Sequence, residues 1–218
     1  MKPVVALDLD GTLLDYYPHF LRFAAQYFGH NPYDPGYLAY DARMPVYKHL
    51  RVSKSRYRQC KLAYRRGALK RSLPPLPLPY PQINELTHVV RRWGVDIWFC
   101  TTRPYLSHDE VDDATRHNLR RNGAVYQGII WGEHKYRELV RMVGGARIAA
   151  VLDDLPEQCR RAEALGLPVG FALRPHNERQ AHALEIGTGY GSPWPRVEGH
   201  EETLNWLREQ LDKWKAEQ

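Results

Sequence analysis

The stretch VVALDLDGTLLD, residues 4–15, decides the fold. An apolar run leads to Asp8, a second acid follows at Asp10, and Gly11 and Thr12 come next. A short apolar run that ends at a turn signal is typical of a strand buried in a sheet. Residues i and i+2 of an extended segment point to the same side, and two neighbouring carboxylates repel unless a cation or a proton lies between them. The stretch therefore indicates either a polar turn or the first part of an active site.

Strand patterns and helix patterns alternate along the rest of the chain. Predicted strands cover residues 3–9, 95–101, 126–131, 147–154 and 167–173. This alternation predicts an α/β fold with a doubly wound, parallel, Rossmann-like sheet. Ligands of such sheets bind at the carboxyl ends of the strands. Polar pairs stand at three predicted strand ends: Asp8 with Asp10, Thr101 with Thr102, and Asp153 with Asp154.

A helical insertion is predicted to interrupt the core. Helical patterns cover 38–50 and 53–70, and the proline-rich segment 73–81 forms an extended return, because proline lacks the N–H that a helix needs. A later helix is predicted from residue 107. The predicted divisions are a core at 1–15 and 81–175, a basic helical cap at 16–80, and a C-terminal loop and amphipathic helix, packing on the core, at 176–218.

Basic charge is concentrated in one segment. Residues 16–95 hold 14 Lys and Arg against 3 Asp and Glu, a net charge of +11, whereas the rest of the chain holds 17 against 22. Basic residues interleaved with aromatic rings favour phosphate-bearing partners, including nucleic acid, although a solvated helical face is the other interpretation. The candidates for substrate contacts in the cap are Tyr64, Arg65 and Arg66.

Composition restricts the class of protein. Hydrophobic residues make up 43% and charged residues 26%, values typical of a globular chain, and no apolar run reaches the roughly 20 residues of a membrane span. Three well-separated cysteines form neither a disulfide framework nor a zinc pattern, and the N-terminal run is too short for a secretory signal. We therefore expect a cytoplasmic protein without a membrane partner. The oligomeric state stays open.

The residues DLDGTLLD resemble the first motif, DxDG[TV], of the haloacid-dehalogenase-like superfamily of phosphatases. Three later features resemble the other motifs in the same order: Thr101 after an apolar strand, Lys135 at the start of a helix, and the pair Asp153 and Asp154 after another strand. The resemblance covers residues 8–154. It implies the superfamily's fold, with a cap inserted after the first motif.

The resemblance also implies a mechanism. Asp8 would be the nucleophile that forms an aspartyl-phosphate, and Asp10 would be the general acid and then the base. Mg²⁺ is the implied cofactor, since hard divalent cations bind oxygen ligands and phosphate. The implied metal ligands are Asp8, Asp10 through its backbone carbonyl, and Asp153, with Asp154 nearby. The candidate phosphate-binding residues are Thr101, Thr102, Arg103 and Lys135.

Three functions remain open at this point. The helical cap and the segment FCTT before proline resemble the 5′(3′)-deoxyribonucleotidases, which implies a nucleoside monophosphate substrate. The segment TTRP with Thr115 and Arg116 resembles the phosphatase domain of polynucleotide kinase-phosphatases, which implies a 3′-phosphate on a nucleic-acid end. The third possibility is a nucleic-acid-binding protein whose core is mainly a scaffold.

Overall fold

The N-terminal strand lies at the centre of a six-stranded parallel sheet. The computed structural model describes residues 1–103, 110–182 and 193–218. The strands are β1 (Val4–Leu7), β2 (Asp96–Thr101), β3 (Gly128–Trp131), β4 (Ile148–Asp153), β5 (Val169–Ala172) and β6 (Arg196–Val197), in the order β3-β2-β1-β4-β5-β6. The predicted doubly wound α/β fold is confirmed. The short β6, which the sequence pattern did not predict, extends the edge beyond β5.

Helices cover both faces of this sheet. In chain order they are α1 (Tyr16–Phe28), α2 (Pro35–Leu38), α3 (Val46–His49), α4 (Lys54–Arg66), α5 (Ile83–Arg92), α6 (Glu110–Arg121), α7 (Lys135–Val143), α8 (Pro156–Glu163) and α9 (His200–Ala216). Residues of α5, α6 and α9 share an apolar cluster with Val5 and Leu7 of β1. Residues of α7 and α8 share the opposite cluster with Val4 and Ala6. Alternate residues of β1 thus face opposite layers, as the pleat of a strand requires.

The insertion between β1 and α5 has an apolar cluster of its own. Phe20 and Leu21 of α1 pack there with Cys60 and Tyr64 of α4. A 3₁₀ turn, Leu69–Ser72, then leads back towards the core.

The predicted helical stretch at 38–50 is wrong in part. Only single helical turns form at its two ends, α2 and α3. Between them, the Asp41 carboxylate accepts a hydrogen bond from the Arg43 backbone N–H at 3.0 Å, and Pro45 contributes no N–H. Such side-chain bonds compete with the hydrogen bonds of a helix, so the chain turns instead of continuing.

The terminal helix α9 lies against the sheet. Trp206, Leu207 and Leu211 are buried in the cluster that contains α5. The Trp206 ring lies so close to β5 that a Cβ at Gly170 would stand 2.8 Å from it. A glycine is therefore needed at this point of β5, because any side chain would displace the indole.

Two predicted features lie outside the described residues. They are the start of the helix predicted from 107, within 104–109, and much of the predicted C-terminal loop, within 183–192. Among the residues that the structure describes, no helix is both long and apolar enough to cross a membrane.

Candidate active site

The acids lie where the order of the strands reverses. From β1 the chain moves outward to β2 and β3, and then returns to place β4 on the other side of β1. Asp8 follows β1 directly, and Asp153 is the last residue of β4. Such reversal points leave a crevice at the carboxyl ends of the strands, where ligands of α/β sheets bind.

Three buried carboxylates meet in this crevice. Asp8, Asp153 and Asp154 each offer an oxygen, and these oxygens all lie within 4.8 Å of one another. Burial raises the pKa of Asp8 well above its ordinary value, and the charges of Asp153 and Asp154 raise it further. Burial likewise raises the pKa of Asp153. The group therefore favours binding a positive charge, and its hard oxygen donors match the ligand preference of Mg²⁺.

Lys135 already supplies one positive charge. Its Nζ lies 2.5 Å from Oδ1 of Asp8 and 2.6 Å from Oδ2 of Asp153, and its side chain is fully buried at the start of α7. Burial lowers the pKa of Lys135, but Asp153 and Asp8 outweigh that effect and raise it above its ordinary value. The ammonium thus stays charged between the two strand ends.

The tight loop after β1, which contains Gly11 and Thr12, contacts Asp154 directly after β4. The Thr12 hydroxyl donates to Asp154 at 2.8 Å and accepts from the Asp154 backbone N–H at 3.1 Å. Gly11 has a φ of 95°, and a Cβ there would stand 2.5 Å from a carboxylate oxygen of Asp154. Glycine is needed at position 11 for two reasons: L side chains rarely adopt that φ, and a Cβ would collide with Asp154.

Asp10 occupies a different environment from Asp8. Its carboxylate accepts hydrogen bonds from Nε of Arg103, at 2.9 Å, from Nη2 of Arg103, and from Nζ of Lys70. Burial would raise the pKa of Asp10, but Arg103 and Lys70 outweigh it and hold the pKa below its usual range. Burial and the nearby Arg103 lower the pKa of Lys70 to about 7. Asp10 is therefore a charged acceptor in this structure.

The residues after β2 differ in what they contact. Thr101 is buried, and its hydroxyl accepts from the Arg103 backbone N–H at 3.4 Å, whereas Thr102 is exposed. Arg103 also donates to Thr115 of α6 at 2.7 Å, so its guanidinium is held by Asp10 and Thr115 together. Arg116 pairs instead with Asp112 on its own helix, at 2.8 Å.

The three cap candidates lie on α4, and no described hydrogen bond or ion pair joins them to the acids, although burial and then the nearby charge of Asp10 raise the pKa of Tyr64. Tyr64 is fully buried, and its hydroxyl lies 2.8 Å from Nδ1 of His19. Arg65 is half-buried and Arg66 is exposed, both in the last turn of α4. Tyr64 thus packs inside the cap and does not present its ring at the surface for stacking.

Sequence reasoning missed several residues that shape the site. Lys70 comes from the 3₁₀ turn of the insertion, and no local pattern marks it. His176, Asn177 and Arg174 follow β5: His176 Nε2 lies 2.8 Å from Asp154, Asn177 donates to the Asp154 carbonyl at 2.9 Å, and Arg174 donates to the Thr12 carbonyl. The rule that selected Asp8 and Asp153, namely that polar residues at the carboxyl end of a predicted strand lie at the site, would have found these three residues as well.

Solved structures share this fold. A hydrolase with bound phosphate and sodium from Deinococcus radiodurans aligns over 96% of each chain at 17% identity, with a TM-score of 0.65. A haloacid dehalogenase-like family hydrolase from Streptococcus pneumoniae aligns over 94% of this chain and 98% of its own, at 16% identity and a TM-score of 0.61. A phosphonoacetaldehyde hydrolase-like protein from Oleispira antarctica aligns over 98% and 94%, at 10% identity and a TM-score of 0.58.

These similarities give the chain the fold of the haloacid-dehalogenase-like hydrolases. No family model matches the sequence, and no curated protein matches it. Proteins of this fold include a heptose bisphosphate phosphatase and a haloacid dehalogenase. The fold therefore leaves the choice of reaction to the residues of the site.

Proposed function

We propose that the protein is a Mg²⁺-dependent phosphomonoesterase that works through an aspartyl-phosphate on Asp8. One observation carries the proposal: the buried carboxylates of Asp8, Asp153 and Asp154 meet at the reversal point of the sheet with Lys135 between two of them. A structural neighbour with this fold holds phosphate and a cation, which is compatible with the proposal.

Asp8, Asp153 and Asp154 would hold Mg²⁺, and the backbone carbonyl of Asp10 would complete the protein ligands. Bound there, the ion would offset the charge of phosphate and of the attacking carboxylate. Lys135 neutralises part of the same charge, because its Nζ already contacts two of these acids. Asp154 has its carboxylate oriented by Thr12 and His176, which restricts its rotation.

In the first step, a carboxylate oxygen of Asp8 attacks phosphorus, and the bond from phosphorus to the leaving oxygen breaks. In the second step, water attacks the aspartyl-phosphate, which releases phosphate and restores Asp8. Thr101, Thr102 and Lys135 are the proposed donors to phosphate oxygens. Arg103 acts on Asp10 instead of on phosphate in the arrangement described above.

Asp10 is the proposed acid–base residue. Arg103 and Lys70 keep Asp10 ionised, so its carboxylate can accept a proton from water in the second step, although the lowered pKa makes it a weak base. Donation to the leaving oxygen in the first step needs a proton on Asp10, and the ammonium of Lys70 is the hydrogen-bonded neighbour able to pass one to it. The two cations around Asp10 thereby favour its ionised form over the protonated form that the first step requires.

The proposed substrate is a nucleoside or deoxynucleoside monophosphate. A polynucleotide 3′-phosphatase is the second candidate, because the insertion is strongly basic. Exposed basic residues such as Arg66 would fit a nucleic-acid strand. A nucleic-acid-binding protein without turnover is the third, and the complete set of acids with Lys135 argues against it.

A panel of three esters tests these candidates. Thymidine 5′-monophosphate, a 3′-phosphorylated oligonucleotide and phenyl phosphate are each assayed with Mg²⁺ and with chelator. We expect Mg²⁺-dependent release of phosphate, fastest from the nucleotide. Faster release from the oligonucleotide would favour the second candidate. Salt-sensitive oligonucleotide binding with no turnover of any ester would contradict the phosphatase proposal.

A further inference from the structure

A cavity of about 500 Å³ lies between the insertion and the core. Its walls come from the start of α1, the segment around Tyr40, the return segment at Leu76 and Pro77, and the residues after β5. The volume falls in the range of ligand pockets, which is roughly 300–1,000 Å³. It therefore has room for an organic group of small-molecule size.

The cavity shares one side chain with the acid cluster. His176 lines the cavity, and its Nε2 lies 2.8 Å from Oδ2 of Asp154. The loop after β1 approaches from the same side, because a Cβ on Gly11 would stand 3.2 Å from the His176 ring. One imidazole thus separates the cavity from the acids that would hold the phosphate end of a substrate.

Aromatic rings form one wall of the cavity. The Tyr17 and Tyr40 rings are stacked, with their centroids 4.7 Å apart, and the Tyr17 and His176 rings lie 4.3 Å apart. Leu76 and Pro77 add apolar surface. A wall of this kind fits a flat ring or the apolar face of a sugar.

The charged groups of the cavity are mainly acidic. Asp15, Asp41 and Glu178 line it, against a single guanidinium, Arg179. Asp41 pairs with Arg43 at 2.7 Å and lies 3.5 Å from Arg179. Within the described part of the chain, the carboxylates of Asp15 and Glu178 make no hydrogen bond or ion pair, so they are available to accept from hydroxyl or amino groups.

Of the basic residues of the insertion, Arg43 pairs with Asp41 and Arg22 acts on Asp15, whereas Arg65 and Arg66 lie elsewhere. Arg65 and Arg66 are not among the residues that line the cavity. Asp41 is already paired with Arg43 and Arg179, so a second phosphate on the ligand would meet the carboxylates of Asp15 and Glu178, and like charges in contact are costly. The cavity favours a ligand whose only strong negative charge is the phosphate at the acid cluster.

We propose that this cavity binds the organic part of the phosphomonoester, and that it selects a neutral or amine-bearing ring over a group that carries a second phosphate. This inference rests on the proposed phosphatase function. It assigns the aromatic wall to binding of the ring, and Asp15 and Glu178 to acceptance of its hydroxyl or amino hydrogens. The proposal also favours a nucleoside monophosphate over a nucleic-acid end as substrate, because the neighbouring phosphates of a nucleic-acid end would enter the same acidic space.

The main test compares two substrates that differ by one phosphate. We expect kcat/KM for thymidine 5′-monophosphate to exceed that for thymidine 3′,5′-bisphosphate by about tenfold or more. Glu178→Lys should reduce this preference at least threefold, whereas Glu163→Gln, on the exposed face of α8, should leave it unchanged. Equal rates with both substrates, or the same preference in Glu178→Lys, would overturn the proposal while leaving the phosphatase function intact.

A binding measurement tests the cavity as a ligand site independently of phosphate release. We expect thymidine, measured by calorimetry, to bind the intact protein, to inhibit hydrolysis competitively, and to bind at least fivefold more weakly to Tyr40→Leu. If no ester is hydrolysed but thymidine binds with this dependence on Tyr40, the phosphatase function fails and the cavity remains a binding site. Thymidine binding that does not compete with substrate, or that is unchanged in Tyr40→Leu, would contradict the assignment of the cavity to the leaving group.

Discussion

Arg103 donates hydrogen bonds from Nε and Nη2 to the two carboxylate oxygens of Asp10. The first is 2.9 Å long, and the Arg103 side chain is almost completely buried. The two residues are 93 positions apart in the chain and meet because β1 and β2 are neighbours. A guanidinium in this forked arrangement fixes the orientation of a carboxylate as well as its charge.

Asp10→Asn should destabilise the protein at neutral pH by about 3–5 kcal/mol, because it leaves Arg103 and Lys70 buried without a carboxylate. The pKa of Asp10 is lower in the folded protein than its usual value of 3.8, so the folded state holds fewer protons there. Its contribution to stability is complete above that pH and is lost as pH falls below it. The difference between wild type and variant should therefore shrink as the pH falls below 3.8.

Chemical denaturation across pH measures this difference. The raised pKa values of Asp8 and Asp153 act in both proteins, and so they largely cancel in the comparison. Asp212→Asn on the exposed face of α9 is a matched control, whose expected effect is below about 1 kcal/mol. A difference that stays constant down to the acid limit would contradict the role of the Arg103–Asp10 pair.

Asp8→Asn should reduce phosphate release by about 10³-fold or more while the fold persists, because an amide oxygen does not replace a carboxylate as nucleophile. Circular dichroism and the thermal midpoint monitor the fold alongside activity. Retention of more than about a tenth of the wild-type rate would remove Asp8 from the nucleophile role.

Mg²⁺ should raise the thermal midpoint, since a ligand that binds only the folded state stabilises it. Each tenfold increase in Mg²⁺ above the dissociation constant adds about 1.4 kcal/mol. Asp153→Asn should lose most of this dependence, because it removes one of the three clustered carboxylates. A titration followed by differential scanning fluorimetry measures the effect without turnover, and Asp212→Asn should retain it. Equal Mg²⁺ dependence in Asp153→Asn would contradict the metal site.

Replacing both Arg65 and Arg66 with Gln should raise KM for the 3′-phosphorylated oligonucleotide by about threefold or more at low salt. KM for phenyl phosphate, whose leaving group is uncharged, should change by less than about twofold. The double substitution of Arg120 and Arg121 on the exposed end of α6 removes the same charge and is the matched control. Equal changes with both esters would mean that Arg65 and Arg66 belong to a solvated face.

The sequence predicts the framework of the site well, because the signals for it are local. An apolar run that ends in acids predicts both the strand and the edge of the sheet where its acids lie, as at Asp8 and Asp153. The pattern over 38–50 fails because a hydrogen bond from the Arg43 N–H to Asp41, together with Pro45, decides the backbone there. A side chain that competes with the helix for a backbone N–H hardly changes the spacing of the apolar residues, so helical periodicity reveals it only weakly.

The partners of the acids depended on contacts between distant segments. Lys70 reaches Asp10 from 60 residues away, and Thr115 reaches Arg103 from another helix. His176 joins Asp154 to a cavity whose walls come from four segments. No periodicity in the chain marks these pairs, because each one forms only after separate elements have packed.

By itself the sequence determined a parallel α/β sheet with acids at the ends of its strands, because hydrophobic periodicity and strand-end polarity are local properties. Only the tertiary structure decided how those acids differ. It surrounded Asp8 with Asp153, Asp154 and Lys135, and Asp10 with Arg103 and Lys70. The physical reason is that a pKa depends on burial and on the charges that folding brings within a few ångströms, and these come from segments far apart in the chain.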